Sequence, residues 1–362
     1  MDTTKSKFNL KTTMKVFLDY LVKTMNGMAF GLFSTLIIGV IISQIGTFTN
    51  YDFVLFNQTI NIGQVLIHLG AVAKGLMGVG IALGIAWSLD LKGLKLISSA
   101  IVGGIATSSF FTRTADPAVT YVVVVLTITL VNLILKKKTP VDILLVPLLT
   151  LSIGIVVTLL VFTPVNSVTV FVASVIGTAT EVVPFLMGII VSALMGIALT
   201  APISSAAIAI SIFILTPETM NSIPIAAGAS VVGCATQMIG FAIQGRKSNS
   251  IGVTLSVAFG TSMLQFKNIL RKPIIWLPTI IASAILGPFA TVVFQMKATA
   301  IGAGMGTSGL VGVFGAFDAM GWNLDSLWRI GLMLIVLPSV LVLGLDILFK
   351  KFHLYKDEDL KI

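Results

Sequence analysis

Three short strings place glycine or proline beside hydroxyl side chains in otherwise apolar sequence, and they are the first candidates for chemistry. The longest runs from Gly302 to Gly309 and holds Gly304, Gly306, Thr307 and Ser308. A second is Gly260-Thr261-Ser262, followed by Gln265, and a third is Pro202 with Ser204 and Ser205. Glycine and proline interrupt a helix, and a hydroxyl then caps the half-helix that follows, leaving backbone N–H groups free for a solute hydroxyl or an anion. Broken backbone at membrane depth must face protein or a water-filled cavity, which makes such strings candidate linings of a transport site. The competing reading is a small-residue helix interface, where glycine and serine only permit close packing.

Chargeable groups far from the ends of apolar runs are the second set, because they are expensive in a bilayer. Lys74 lies deep in an apolar run, six residues after His68. Glu181 stands just before Pro184 and a new apolar run. Arg113 and Asp116 are placed to pair with each other, whereas Lys297 and Arg329 fall at the ends of runs and are expected to snorkel to the interface. Gln237 and Gln265 offer a donor and an acceptor each, suited to sugar hydroxyls or equally to helix–helix hydrogen bonds. One cysteine, Cys234, and two histidines supply neither a disulfide framework nor an ordinary metal site, so no metal or other cofactor is expected.

These groups must be positioned by helices that cross a membrane. Of 362 residues, 56% are hydrophobic and only 10% charged, and the mean hydropathy is +1.05. Runs near the ~20 residues needed to cross a bilayer follow one another almost without pause. All but four of the 23 Lys and Arg residues fall in clusters at the edges of apolar runs, so the net charge of +9 reflects positive-inside topology rather than a nucleic-acid-binding face. No stretch is long or polar enough for a soluble catalytic domain.

Parity of the basic clusters orders the chain. Residues 1–26 read as a cytoplasmic amphipathic helix on the inner surface, 27–350 as one transmembrane domain, and 351–362 as a cytoplasmic tail. Expected spans include 28–45, 62–89, 94–111, 118–135, 143–162, 168–199, 225–244, 274–295 and 327–349. The segment 203–215 is either a tilted span or one arm of a hairpin. Segments 251–266 and 302–317 are too short or glycine-rich to cross, and 251–266 has a basic cluster at each end, which makes it re-entrant. The expectation is an all-α polytopic membrane protein with about ten transmembrane helices and two re-entrant segments, both termini cytoplasmic, in a bacterial cell membrane.

Several strings in the second half, read in order, resemble a known family. They are Leu199–Ala207 (LTAPISSAA), Gly233–Ala242 (GCATQMIGFA), Gly260–Gln265 (GTSMLQ), Lys272–Pro278 (KPIIWLP) and Gly302–Gly312 (GAGMGTSGLVG). With Gly27–Gly39 and Lys138–Thr150 in the first half, the chain resembles the phosphotransferase-system enzyme IIC-like family that includes PfoR-type regulators. It departs where a glycine-rich segment is expected and Thr112–Tyr121 (TRTADPAVTY) stands instead. The resemblance implies a glucose-superfamily permease: a homodimer with re-entrant hairpins, whose solute site is carried across the membrane by one rigid unit. In such sugar permeases a glutamate and a histidine hold the sugar hydroxyls, roles for which Glu181 and His68 are the candidates. A separate IIB protein would then phosphorylate the sugar, since Cys234 is intramembrane.

The leading expectation is therefore an enzyme IIC-like permease for a small polar solute, a sugar, with any phosphorylation done by a separate IIB protein. The first alternative is a phosphorylation-independent transporter of a small organic anion, which Lys74 and Arg113 would favour. A third reading is a membrane sensor of PfoR type, for which only the amphipathic N-terminal helix and the tail are available as signalling elements. Membrane lipid is the remaining expected partner.

Overall fold

The computed structural model describes residues 10–49, 51–55, 58–108, 116–136, 139–180, 182–213 and 222–362. Glu181 and Arg113 lie outside the described residues. The first helix, α1 (Leu10–Leu32), passes through a π-helical turn at Phe33–Ile37 into α2 (Ile38–Phe48). The amphipathic segment and the first span are thus one continuous helix. A two-stranded antiparallel hairpin, β1 (Asp52–Leu55) and β2 (Gln58–Asn61), follows with Asp52 opposite Asn61. Asn61 then caps α3 (Ile62–Gly75) by accepting from the Gln64 N–H.

Between α3 and α4 (Met77–Ser88) the axis bends by 50°, next to Lys74. After α5 (Leu94–Ala106) and α6 (Pro117–Ile134) comes α7 (Asp142–Ala179), a single helix of 38 residues. The sequence around Thr163-Pro164 reads as a break between two spans. The helix instead runs through Pro164 without a break, and the Ser167 hydroxyl donates back to the Thr163 carbonyl one turn earlier. At 1.5 Å per residue α7 is about 57 Å long, well beyond a hydrocarbon core of about 30 Å.

The second half opens with α8 (Pro184–Thr200) and the short α9 (Ser205–Ile212), and then α10 (Ser222–Gly245), which is apolar on all faces. That pattern belongs to a helix with no lipid-facing side, and α10 is almost wholly buried among α8, α13 and α17. Next, α11 (Ile251–Phe259) meets a 3₁₀ turn (Ser262–Gln265) and α12 (Phe266–Arg271), a stretch of short helices none of which is long enough to cross a bilayer. A further 3₁₀ turn, Pro273–Trp276, leads into α13 (Leu277–Pro288) and a π-helical end, Phe289–Val293. The glycine-rich string divides α14 (Ala300–Ala303) from a 3₁₀ turn (Ser308–Leu310) and α15 (Val311–Met320). The chain finishes with α16 (Leu324–Gly331), a π-helical turn at Leu332–Val336, α17 (Leu337–Lys351) and a 3₁₀ turn, Asp357–Leu360.

Among the described residues six helices are long and apolar enough to cross a membrane, or seven with the bent pair α3–α4. The chain is a multi-pass, almost entirely helical membrane protein. The helices α5 and α8, expected within full spans, are shorter apolar helices of 13 and 17 residues.

Close helix approach is built on paired glycines. A Cβ on Gly31 of α1 would lie 2.1 Å from the Gly80 carbonyl oxygen of α4, and one on Gly27 would lie 2.3 Å from that of Gly84. Only glycine lets these backbones touch, which is how helices associate where lipid offers no hydrophobic driving force.

The segment after α17 is docked rather than free. Tyr355 and Leu360 are buried, and the Tyr355 hydroxyl donates to Asp346 and accepts from Gln244. Lys272 pairs with Asp359 at 2.7 Å.

Candidate functional site

The three interrupted strings, far apart in sequence, come together in space. The turn after α8 carries Pro202 and Ser204, and Ser204 caps α9 by accepting from the Ala207 N–H. The Ser205 hydroxyl donates to the Gly304 carbonyl at 2.7 Å, joining this turn to the glycine-rich string. From the string, Thr307 donates to the Ala258 carbonyl and Ser308 to the Gly260 carbonyl, joining it to the C-terminal end of α11. Ser262 exchanges a hydrogen bond with Thr200 at the end of α8, at 2.9 Å. The Ser205, Thr307 and Ser308 hydroxyls thereby satisfy carbonyls at places where the helices are interrupted.

The backbone of the string explains its composition. Gly306 and Gly309 have φ of +53° and +51°, in the left-handed region that glycine enters without steric cost. Leu310 has φ of +62°, a conformation that costs an L-residue about 1–2 kcal/mol. Strain of this kind persists only where surrounding contacts hold it, and it clusters at functional segments.

Beside this junction is a cavity of about 370 Å³ lined by Ser43, Gln44, Lys74, Pro117, Ser204 and Met305, among others. Its volume is in the range of small-molecule sites. A smaller cavity of about 60 Å³ shares Pro117, Ser204 and Met305 and reaches inward to Ser205, Thr261, Met263 and Ser308. Lys74 is half-buried and in no ion pair among the described residues. A larger groove of about 430 Å³, lined by Ile41, Phe48, Phe259, Leu310 and Phe314, is apolar except for Gln44 and offers a polar solute little.

Asp116 was read from sequence only as a partner for Arg113, yet it is buried next to this cavity. Its carboxylate caps α6 by accepting from the Ala118 N–H at 2.7 Å and accepts from the Thr169 hydroxyl at 3.1 Å. The backbone N–H of Ser204 also faces it. One carboxylate therefore ties the start of α6, the middle of α7 and the serine turn together. The Asp-Pro pair at the start of an apolar run was the available signal, since Asp before Pro is a helix-start pattern.

The remaining candidates sit elsewhere. His68 is exposed on α3 and lines neither cavity. Gln237 is buried in a saturated network, its carbonyl accepting from Trp276 at 3.0 Å and Thr279 at 2.8 Å. Gln265 donates to the Leu360 carbonyl and accepts from Asn268, so it holds the docked segment after α17. Gly304 and Gly306 contribute close backbone approach, to Ser205 and Cys234 respectively, rather than cavity surface. Lys297 is exposed, and Arg329 pairs with Asp325 at 2.8 Å.

None of the curated proteins or solved structures compared with the chain matches it. Residues 22–362 match the family described as "Phosphotransferase system, EIIC". That span includes every described lining residue of both cavities, and the chain belongs to the phosphotransferase-system EIIC family.

Proposed function

We propose that this protein is the permease component for a small polar solute, a sugar, which binds in the Lys74–Ser204 cavity and crosses the membrane with the hairpins that surround it. The observation that carries this reading is the convergence of the three interrupted strings on one cavity of suitable size in an EIIC-family chain. Hydroxyl and amide groups of Ser43, Gln44 and Ser204 match a polyol, and the adjoining broken helices have the architecture from which transporter sites are made. A separate IIB protein supplies the phosphoryl group from the cytoplasmic side, with the protein a homodimer and both termini cytoplasmic. Glu181 is kept in this proposal as the residue that would hold or deprotonate the reacting hydroxyl.

Lys74 favours a second reading. As a cation on the cavity wall with no ion pair among the described residues, it suits a small organic anion, taken up without phosphorylation.

A thermal-shift screen of the purified protein with sugars and small organic anions at millimolar concentration separates the two, because a ligand that binds only the folded state raises the melting temperature. A sugar response lost in Ser204→Ala and Glu181→Gln supports the permease reading. An anion response lost in Lys74→Ala, with sugars silent, overturns the phosphotransferase reading in favour of the second. His68→Ala is expected to leave either response intact.

A further inference from the structure

We propose a specific anionic-phospholipid site at the end of the bundle where α4–α5, α6 and α7 are connected. A cavity of about 540 Å³ there is lined by Lys92, Lys95 and Lys136, together with Leu94, Leu135, Asp142 and Val146. The three lysines come from the turn before α5, from α5 itself and from the end of α6, so tertiary structure rather than local sequence gathers them.

None of the three is in an ion pair among the described residues. Lys95 donates to the neutral Asn132 carbonyl at 2.8 Å, which leaves its charge uncompensated. The one lining carboxylate, Asp142, is occupied by the Thr139 hydroxyl and N–H at the start of α7. The cavity therefore carries a surplus of positive charge and calls for an anion.

Its surroundings identify the anion as a lipid headgroup. Leu94 in the lining, and Leu133, Ile143 and Leu144 within two residues of lining positions, are exposed, Ile143 by 77% and Leu144 by 70%. On helices that cross a bilayer, such residues face acyl chains. A phosphodiester between the lysines with its chains along these side chains satisfies both parts of the surface, and basic pockets between transmembrane helices are known takers of such headgroups. The Lys74–Ser204 cavity shares no lining residue with this one.

The test is native mass spectrometry of the full chain in detergent, titrated with phosphatidylglycerol, with phosphatidylcholine, and with inorganic phosphate. One phosphatidylglycerol should bind with preference over phosphatidylcholine, and each of Lys92→Gln, Lys95→Gln and Lys136→Gln should weaken it about fivefold. A control pair, Lys247→Gln with Lys351→Gln, removes two exposed charges elsewhere and should leave binding unchanged. Thermal shift with the same lipids confirms that each variant is folded and reports loss of lipid stabilisation in parallel. Equal binding of phosphatidylcholine, or equal loss in the control pair, would show general lipid or diffuse electrostatic association and overturn the proposal. Binding of inorganic phosphate at the same lysines without lipid preference would overturn it in favour of a free-anion site.

Discussion

Gln237 shows how a residue suited to ligand binding can be wholly committed to the fold. Its carbonyl accepts from Trp276 and Thr279 across two helices, and the side chain is fully buried. Gln237→Leu leaves the Trp276 N–H without this acceptor, and an orphaned buried donor costs about 1–3 kcal/mol. The melting temperature should therefore fall, while any solute that stabilises the wild type should still stabilise the variant. A variant of normal stability that no longer responds to solute would move Gln237 into the binding site. Lys74 is the reverse case, legible in sequence as a charge deep in an apolar run and placed by the fold on the cavity wall. His68, only six residues away, points elsewhere because six residues along an α-helix amount to one and two-thirds turns.

At the scale of elements, helix contacts and the docked terminal segment make separable predictions. Gly31→Ala drives a Cβ into the Gly80 backbone and should destabilise by about 1–3 kcal/mol, as overpacking does. Gly75→Ala, with nothing within 4 Å of the new Cβ, should be neutral or slightly stabilising. Thermal melts of the two variants in one detergent give the comparison, and equal losses would refute the paired-glycine account of α1 and α4.

The segment after α17 is held by Lys272–Asp359 and by Gln265 and Asn249 on the Leu360 carbonyl. Partial burial pushes the Asp359 carboxyl up, but the hydrogen bond from Lys272 and that from the Lys356 N–H prevail, holding it below the usual carboxylate range. A depressed folded-state value means this contribution is present above the ordinary carboxylate range and lost as pH falls through the depressed value. Protection of residues 354–362 from hydrogen exchange, relative to the intrinsic rate at each pH, should hold at neutral pH and fall below about pH 4. Lys272→Gln should lower it at neutral pH as well, and unchanged exchange in that variant would assign the docking to Tyr355 and Leu360 alone.

Across the whole molecule, the hydroxyl-to-carbonyl bonds connect the serine turn, the end of α11 and the glycine-rich string into one unit. A solute bound in the adjoining cavity should therefore slow hydrogen exchange at residues 256–263 and 302–310 together, leaving the first turns of α7, residues 142–150, unaffected. Protection confined to one of the two strings would mean that they move independently.

Hydropathy, charge placement and the glycine–hydroxyl strings determined on their own that this is a polytopic helical membrane protein with interrupted helices. They do so because a bilayer imposes a minimum span length, and because an unsatisfied backbone group in lipid is costly whatever surrounds it. The EIIC family was legible only through the resemblance of particular strings, such as Gly260–Gln265 and Gly302–Gly312. Where the helices begin and end was less legible. The helix runs unbroken through Pro164, although proline removes a backbone donor there. Likewise α1 continues from the amphipathic segment into the membrane, since nothing at Met25–Met28 interrupts it. Only tertiary structure decided which polar residues meet. Gln237 and Gln265 have the same chemistry as cavity residues in sequence, and only their neighbours, Trp276 and Thr279 for one and Leu360 for the other, show that their hydrogen bonds are already in use. Burial and saturation belong to contacts between elements distant in the chain, and those contacts have no local signature.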